Sequence, residues 1–349
     1  MKLRRSSPLL LSAKMLLLTF TFAAVAIGCS DDDDNSPAPQ QTVLEIAVAN
    51  TDFDVLAAAA VQAGTEVTNV LGGSTQITVF APTDAAFVEY LDVANEAAAI
   101  AAVSGLTPTA AADLLKFHVV SGSEIKAADI AAGTTAITTA RSANNKAFVT
   151  KSGANVTINN ARVTTADVDA SNGVIHIIDA VLTPPAGDII AVATSAANAP
   201  NFGILAAALT KADLITTLQG SGPFTVFAPT DDAFLTLLRS AAFFNNPDLT
   251  EAQVIEYINT STSSSTPLSL TTLTQVLLYH VVPASGYSIN LSNNQVLTTV
   301  KTDAPKTVTI GIGSSVTVDG SASDPSTVTA ANISATNGVI HVIDKVLLP

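Results

Sequence analysis

The chain has 349 residues, 48% hydrophobic and 13% charged, which is material for two packed cores and too apolar for a disordered chain. Its net charge is −14, and four of its 15 basic residues (Lys2, Arg4, Arg5 and Lys14) lie in the first 28 positions, which hold none of the 29 acidic ones. A remainder this acidic repels phosphate backbones, which excludes nucleic acid as a partner, and the single cysteine excludes an intrachain disulfide and cysteine-based metal sites.

The N-terminal region reads as an address. Behind the basic start, Leu16 to Ile27 is an apolar run. As a helix it would rise about 18 Å, short of the roughly 30 Å hydrocarbon core, so it reads as a cleaved export signal and not as a membrane span. Its end, Ala26-Ile27-Gly28-Cys29, resembles the lipobox of bacterial lipoproteins, with Ala26 where that family prefers Leu. The resemblance implies a signal peptide over 1–28, lipidation of Cys29 and a membrane anchor through that lipid. It places the chain in the bacterial cell envelope, at the outer membrane and with the option of surface exposure. Residues 29–42, with Asp31 to Asp34 and two prolines, form a solvated tether. The acid run resembles the patch behind the lipidated cysteine in some surface-displayed lipoproteins and reads equally well as a spacer. It lacks the turn glycine and distal Glu of a calcium loop.

The rest is one unit written twice. Thr78 to Phe87, TVFAPTDAAF, recurs as Thr225 to Phe234 with nine of ten positions identical. Phe117-His118-Val119-Val120 recurs as Tyr279-His280-Val281-Val282, and Ser171 to Leu182 recurs as Thr336 to Leu347 with nine of twelve identical. The copies span 43–184 and 188–349, joined at 185–188 by a short, proline-stiffened linker. The polar run Thr260 to Ser269 in copy two reads as a solvated loop.

Periodicity supplies the elements in chain order. Phe53, Leu56, Ala57, Ala60 and Val61 share one helical face, repeated by Phe202, Leu205, Ala206 and Leu209. Ile77 to Phe80 predicts a strand that stops at Ala81-Pro82. Thr83 then caps a short helix with Asp84 near its positive end, as Thr230 and Asp231 do in copy two. Val174 to Leu182 predicts a strand buried on both faces, fed by a tight turn at Asn172-Gly173, with Asn337-Gly338 its counterpart. The fold class is α+β, with strands and short helices mixed.

Three ordered motifs, each present twice, are similar to the fasciclin domain, and the resemblance covers nearly the whole chain after the tether. It implies two tandem copies of a β-sandwich or wedge flanked by short helices. It also implies adhesion or extracellular-matrix association without catalysis, with cell-surface or matrix proteins or polysaccharide as partners. In animal members the tyrosine-histidine block is linked to receptor-mediated adhesion, which makes Tyr279 and His280 candidate binding residues. Phe117 and His118 are their counterparts in copy one, where the hydroxyl is lost. Thr83, Asp84, Thr230, Asp231, His176 and His341 read as structural, the histidines bonding to backbone or to the Thr83 and Asp84 region. Asp167-x-Asp169-x-Ser171-x-Gly173 approaches a calcium loop, but its glycine is one place late and the Glu is missing. No nucleophile, zinc, phosphate or dinucleotide motif is present, so no enzyme activity, metal or cofactor is expected. Two alternatives stand beside adhesion. One is a module of a polymer-uptake system that binds glycan or a small hydrophobic ligand, and the other is a purely architectural envelope protein.

Overall fold

The computed structural model describes residues 40–195, 201–240, 242–262, 264 and 268–349. The expected signal peptide, Cys29 and the acidic run lie outside the described residues. So do four positions of the predicted Thr260 to Ser269 loop; within that run Ser261 and Leu268 are buried, and Ser269 caps the next helix.

Copy one opens with helices α1 (Val43–Ala49), α2 (Asp54–Ala63) and α3 (Thr65–Gly72), then strand β1 (Ile77–Pro82). Helices α4 (Asp84–Tyr90), α5 (Glu96–Ser104) and α6 (Pro108–Phe117) follow. The chain then makes β2 (Val119–Ser121), β3 (Gly133–Thr138), β4 (Lys146–Ser152), β5 (Asn155–Ile158), β6 (Ala161–Ala170) and β7 (Gly173–Ile178). Copy two repeats the plan. Its helices are α7 (Ile189–Ala193), α8 (Gly203–Lys211), α9 (Ile215–Leu218), α10 (Asp231–Arg239), α11 (Glu251–Thr260) and α12 (Leu270–Tyr279). Its strands are β8 (Phe224–Pro229), β9 (Val281–Val282), β10 (Val296–Thr298), β11 (Thr307–Ile312), β12 (Val316–Asp319), β13 (Ser326–Ala335) and β14 (Gly338–Ile343).

Each copy builds one seven-stranded sheet, ordered β2-β1-β7-β6-β5-β4-β3 and β10-β11-β12-β13-β14-β8-β9. Only one pair in each sheet is parallel, β1 with β7 and β8 with β14, next to the short edge strand; the other ladders are antiparallel. Side chains alternate across β1 because the strand period is two. Ile77, Val79 and Ala81 enter the core beneath the helices, whereas Phe80 enters a second core with Phe117, Val149, Ile158 and Ile178. One sheet therefore has an apolar cluster on each side, which accounts for a strand pair buried on both faces. Register shifts in β6, between Val163 and Thr165 and between Thr165 and Val168, mark where the long strand departs from a flat ladder. This is the wedge flanked by helices that the resemblance implies.

Three local expectations change; the last strand, expected over Val174 to Leu182, is β7 and stops at Ile178. β1 runs on through Ala81-Pro82, because Pro82 sits at the strand's end where its missing N–H costs no ladder bond. Val61, assigned to the buried face of α2, is 46% exposed. The buried side chains there are Val55, Leu56, Ala58, Ala59, Ala60 and Ala63, since α2 packs against α3, α5 and α6 and shares one apolar core with β1.

The Asn-Gly turns need glycine for a reason beyond turn geometry. Gly173 has φ +147°, and a Cβ there would lie 1.9 Å from the Ile77 carbonyl oxygen; at Gly338 the same atom would lie 2.0 Å from that of Phe224. These glycines let the first and last strands of each copy come together. Gly173→Ala is therefore expected to cost about 2–5 kcal/mol of unfolding free energy from backbone strain and overlap combined. Gly313→Ala, where the added carbon meets nothing within 4 Å, serves as the near-neutral control in the same urea titration.

Candidate functional site

The repeated motifs converge on buried polar staples, built twice. Thr83 Oγ1 accepts the Ala86 N–H at 3.3 Å and caps α4, and Thr230 does the same for Ala233 at 3.2 Å. Asp84, expected at the positive end of its own helix, reaches instead to the start of α2. Its carboxylate accepts the N–H groups of Asp54 at 3.1 Å and Val55 at 2.8 Å. Asp231 holds Gly203 and Ile204 in the same way, at 2.9 and 2.7 Å. Burial raises the Asp84 pKa, the two N–H donors oppose that, and neighbouring Glu96 and Asp54 add to the rise.

The histidines fall into two pairs of opposite tautomer. His118 Nδ1 lies 2.9 Å from the Leu114 carbonyl, which can only accept, so Nδ1 carries the proton. Its Nε2 accepts the Leu182 N–H at 2.9 Å. His280 repeats this with Val276 at 2.7 Å and Leu347 at 2.9 Å. Each ring thus ties the end of a helix to the segment leaving the last strand. His176 and His341 are reversed. Nε2 donates to Ile125 or Gly286, each at 2.8 Å, and Nδ1 accepts from Asp167 at 3.3 Å or Asn332 at 3.4 Å. Phe80 and Phe227 stack on these two rings at 5.3 and 5.7 Å. The histidines bond to backbone, and the expected alternative partners Thr83 and Asp84 are not used.

Burial pushes the His118 and His280 rings down to about 4 from 6.5, against the opposing pull of their carbonyl bonds. His341 is lowered for the same reason. With both nitrogens of every ring engaged, none is free to act as a base or to ligate a metal.

The candidate binding residues are inside. Phe117 and Tyr279 are fully buried, and His118 and His280 are 1% and 3% exposed. The Tyr279 hydroxyl donates to the Thr307 carbonyl and accepts the Ser321 N–H at 3.2 Å, tying β11 to the loop after β12. The expectation of a direct partner contact through these four side chains is closed in this conformation, because all four are buried and the polar atoms of His118, Tyr279 and His280 are bonded within the domain.

The carboxylates of the run that approaches a calcium loop have partners within the domain. Asp167 Oδ1 accepts the Ala127 N–H at 2.8 Å, and Asn332 does the same for Ser288 at 2.8 Å, so copy two needs no charge there. Asp169 pairs with Lys126. Asp54, Asp84 and Glu96 bring one carboxylate oxygen each within 4.8 Å of one another, but both Asp84 oxygens already hold N–H groups and copy two has Gly203 in place of Asp54.

Reading the motif only as a turn misses Asn172. Its Nδ2 donates to Leu71 O at 2.9 Å and Gly73 O at 2.8 Å, and its Oδ1 accepts the Val43 N–H at 2.9 Å. Asn337 does the same with Leu218, Gly220 and Ile189 at 2.7, 2.8 and 3.0 Å. Asp179 and Asp344 are also missed; each accepts an N–H across the last hairpin at 2.7 Å, from Arg162 and Thr327. The available signal was identity between the copies at polar positions inside an apolar run.

Space inside the domains is small. Beneath α1 an apolar crevice of about 20 Å³ touches Val43, Ala47, Phe53, Leu56, His118 and Ile175. Copy two has one of the same size beneath α7, touching Ile189, Ala193, Leu205, Leu209, His280 and Ile340. Each has room for about one water and too little for a ligand of ordinary size. Large exposed apolar side chains among the described residues are scattered: Val61, Tyr90, Val296 and Ile312. No helix among the described residues is long and apolar enough to cross a membrane.

Two measurements test the staples. Asn172→Ala strands the buried Leu71 carbonyl, the part-buried Gly73 carbonyl and the Val43 N–H, and about 2–4 kcal/mol of stability should be lost in urea unfolding. Between pH 6.5 and about 4, unfolded chains bind a proton at His118 and His280 that the folded chain refuses, so stability falls as pH drops through that window and is level above it with respect to these rings. Each ring contributes a slope of about 1.4 kcal/mol per pH unit. His280→Gln should remove one such contribution, and an unchanged slope would contradict the assignment.

The sequence model of the Fasciclin domain family matches residues 51–184 and 200–349. Protein sll1483 of Synechocystis is 35% identical over 155 residues, covering 44% of this chain and 71% of that protein. Human periostin is 33% identical over 195 residues, covering 56% of this chain and 20% of periostin. Immunogenic protein MPT70 of Mycobacterium tuberculosis is 33% identical over 164 residues, covering 45% of this chain and 68% of its own. Among solved structures, the FAS1 domain pair of the insect cell adhesion molecule Fasciclin I aligns with 88% of this chain and 96% of its own, at 17% identity and a TM-score of 0.38. This chain belongs to the fasciclin domain family, with one domain in each copy.

Proposed function

We propose that this chain is an exported lipoprotein, anchored through Cys29, that presents two fasciclin domains outside the cytoplasm for adhesion or matrix association, without catalysis. The observation that carries the reading is family membership across both copies behind a basic, apolar, cysteine-terminated leader. The engagement of every histidine and the small apolar crevices favour it over an enzyme or a small-molecule binder. The partner meets the domain surface, and the tyrosine-histidine blocks act from beneath by holding that surface in shape.

Protease shaving of intact and lysed cells is the test. Digestion in intact cells is the expected result; protection until lysis would move the domains to an internal compartment and remove cell adhesion as the role. In parallel, Cys29→Ala should abolish lipid labelling and release the protein from the membrane fraction, and a variant still labelled and still membrane-bound would overturn the anchor.

A further inference from the structure

The two copies meet through a small mixed interface. Phe148, on the outer side of β4, forms one apolar cluster with Tyr287 and Val339 of copy two, and Ile289 packs against it. Phe148 and Tyr287 are both buried to 2% exposure or less. Thr157 Oγ1 donates to Asn290 Oδ1 at 3.0 Å, and Asn332 Nδ2 donates to Asn160 Oδ1 at 2.8 Å. The linker is fastened as well. Asn144 donates to the Ala186 carbonyl at 2.9 Å, and the Gly187 carbonyl accepts the Thr336 N–H at 2.9 Å.

The contact is head-to-tail, joining the β4–β5 face of copy one to the 287–290 face of copy two. Each copy therefore has an unused equivalent of the face its neighbour uses. A heterologous contact of this kind propagates from chain to chain, into a ring or an open filament, unless something stops it. The internal repeat identifies the unused faces residue by residue. Thr78 accepts the Ile125 N–H as Thr225 accepts that of Gly286, so the next residues, Lys126 and Tyr287, are equivalent. Likewise Asp167 is equivalent to Asn332, from their matching bonds to His176 and His341. Val149 pairs with Ile158 as Ile310 pairs with Val318, which makes Phe148 equivalent to Thr309.

At each of these positions the unused face has the residue that cannot make the joint. Where copy two has the buried Tyr287, copy one has Lys126, ion-paired to Glu124 and Asp169. Where Asn332 donates an amide hydrogen across the joint, copy one has Asp167, a carboxylate with none to give. Where copy one offers Phe148, copy two offers Thr309, which leaves an incoming aromatic no apolar anchor.

We propose that the two copies form one rigid body through a directional joint that closes after two domains, its extension blocked by charge on the free end of copy one and by the lost aromatic on the free end of copy two. The differences between the copies at these positions thus encode pairing within the chain and refusal of other chains.

Calorimetry and sedimentation of the full chain test both halves. For the wild type, one cooperative transition is expected, with a calorimetric-to-van't Hoff enthalpy ratio of about one. Tyr287→Lys and Phe148→Thr each place the other copy's residue at the joint, on backbone that already accepts it, and should raise the ratio toward about two with both domains still folded. A wild-type ratio near two, or an unchanged ratio in both variants, would overturn the rigid body. For closure, the triple variant Lys126→Tyr, Asp167→Asn, Thr309→Phe should self-associate with concentration while the wild type sediments as a monomer. A triple variant that stays monomeric, or a wild type that associates, would overturn the blocking role.

Discussion

Each domain depends on one parallel strand pair. β1 lies in the first half of its copy and β7 is its last strand, so every helix and all the other strands lie between them in sequence or pack onto them. A parallel pair with so long a crossover gains nothing from a hairpin and must be held by groups reaching across. Gly173 permits the close approach, Asn172 ties the turn before β7 to the end of α3 and the start of α1, and His118 ties the chain leaving β7 to the end of α6. The same three devices recur at Gly338, Asn337 and His280.

This explains why residue types that elsewhere carry chemistry are taken up here in holding distant pieces of chain together. A buried imidazole or carboxylate costs free energy unless its polar atoms are paired, and each pair made with a distant backbone group fixes one piece of chain against another. Asp84 and Asp231 work in this way on helix starts that have no side-chain cap of their own. The motifs most alike between the copies are thus buried ones.

Where the copies differ, the difference has a location. The aromatic at Phe148 in copy one and the aromatic at Tyr287 in copy two pack in one buried cluster, while their equivalents Thr309 and Lys126 are only half-buried. A buried aromatic pair flanked by two side-chain hydrogen bonds, with the linker tied down at Ala186, sets the direction in which two similar domains are strung.

The fold was legible in the sequence where pattern is local or repeated. Strand β1 with its Thr83 cap, the buried strand after Asn172-Gly173, the doubled architecture and the family all follow from residues read in order, because alternation and capping are properties of neighbouring residues and repetition is visible by comparing one stretch of sequence with another. What the sequence could not decide is where a polar group finds its partner. That Asp84 serves α2 and not α4, that Asn172 reaches three segments, that the rings of His118 and Tyr279 turn inward, and that Phe148 meets Tyr287 all depend on contacts between residues far apart in the chain. Such contacts exist only once the sheet has closed, and so the tertiary structure alone decided which repeated residues were staples and which unrepeated ones formed the joint.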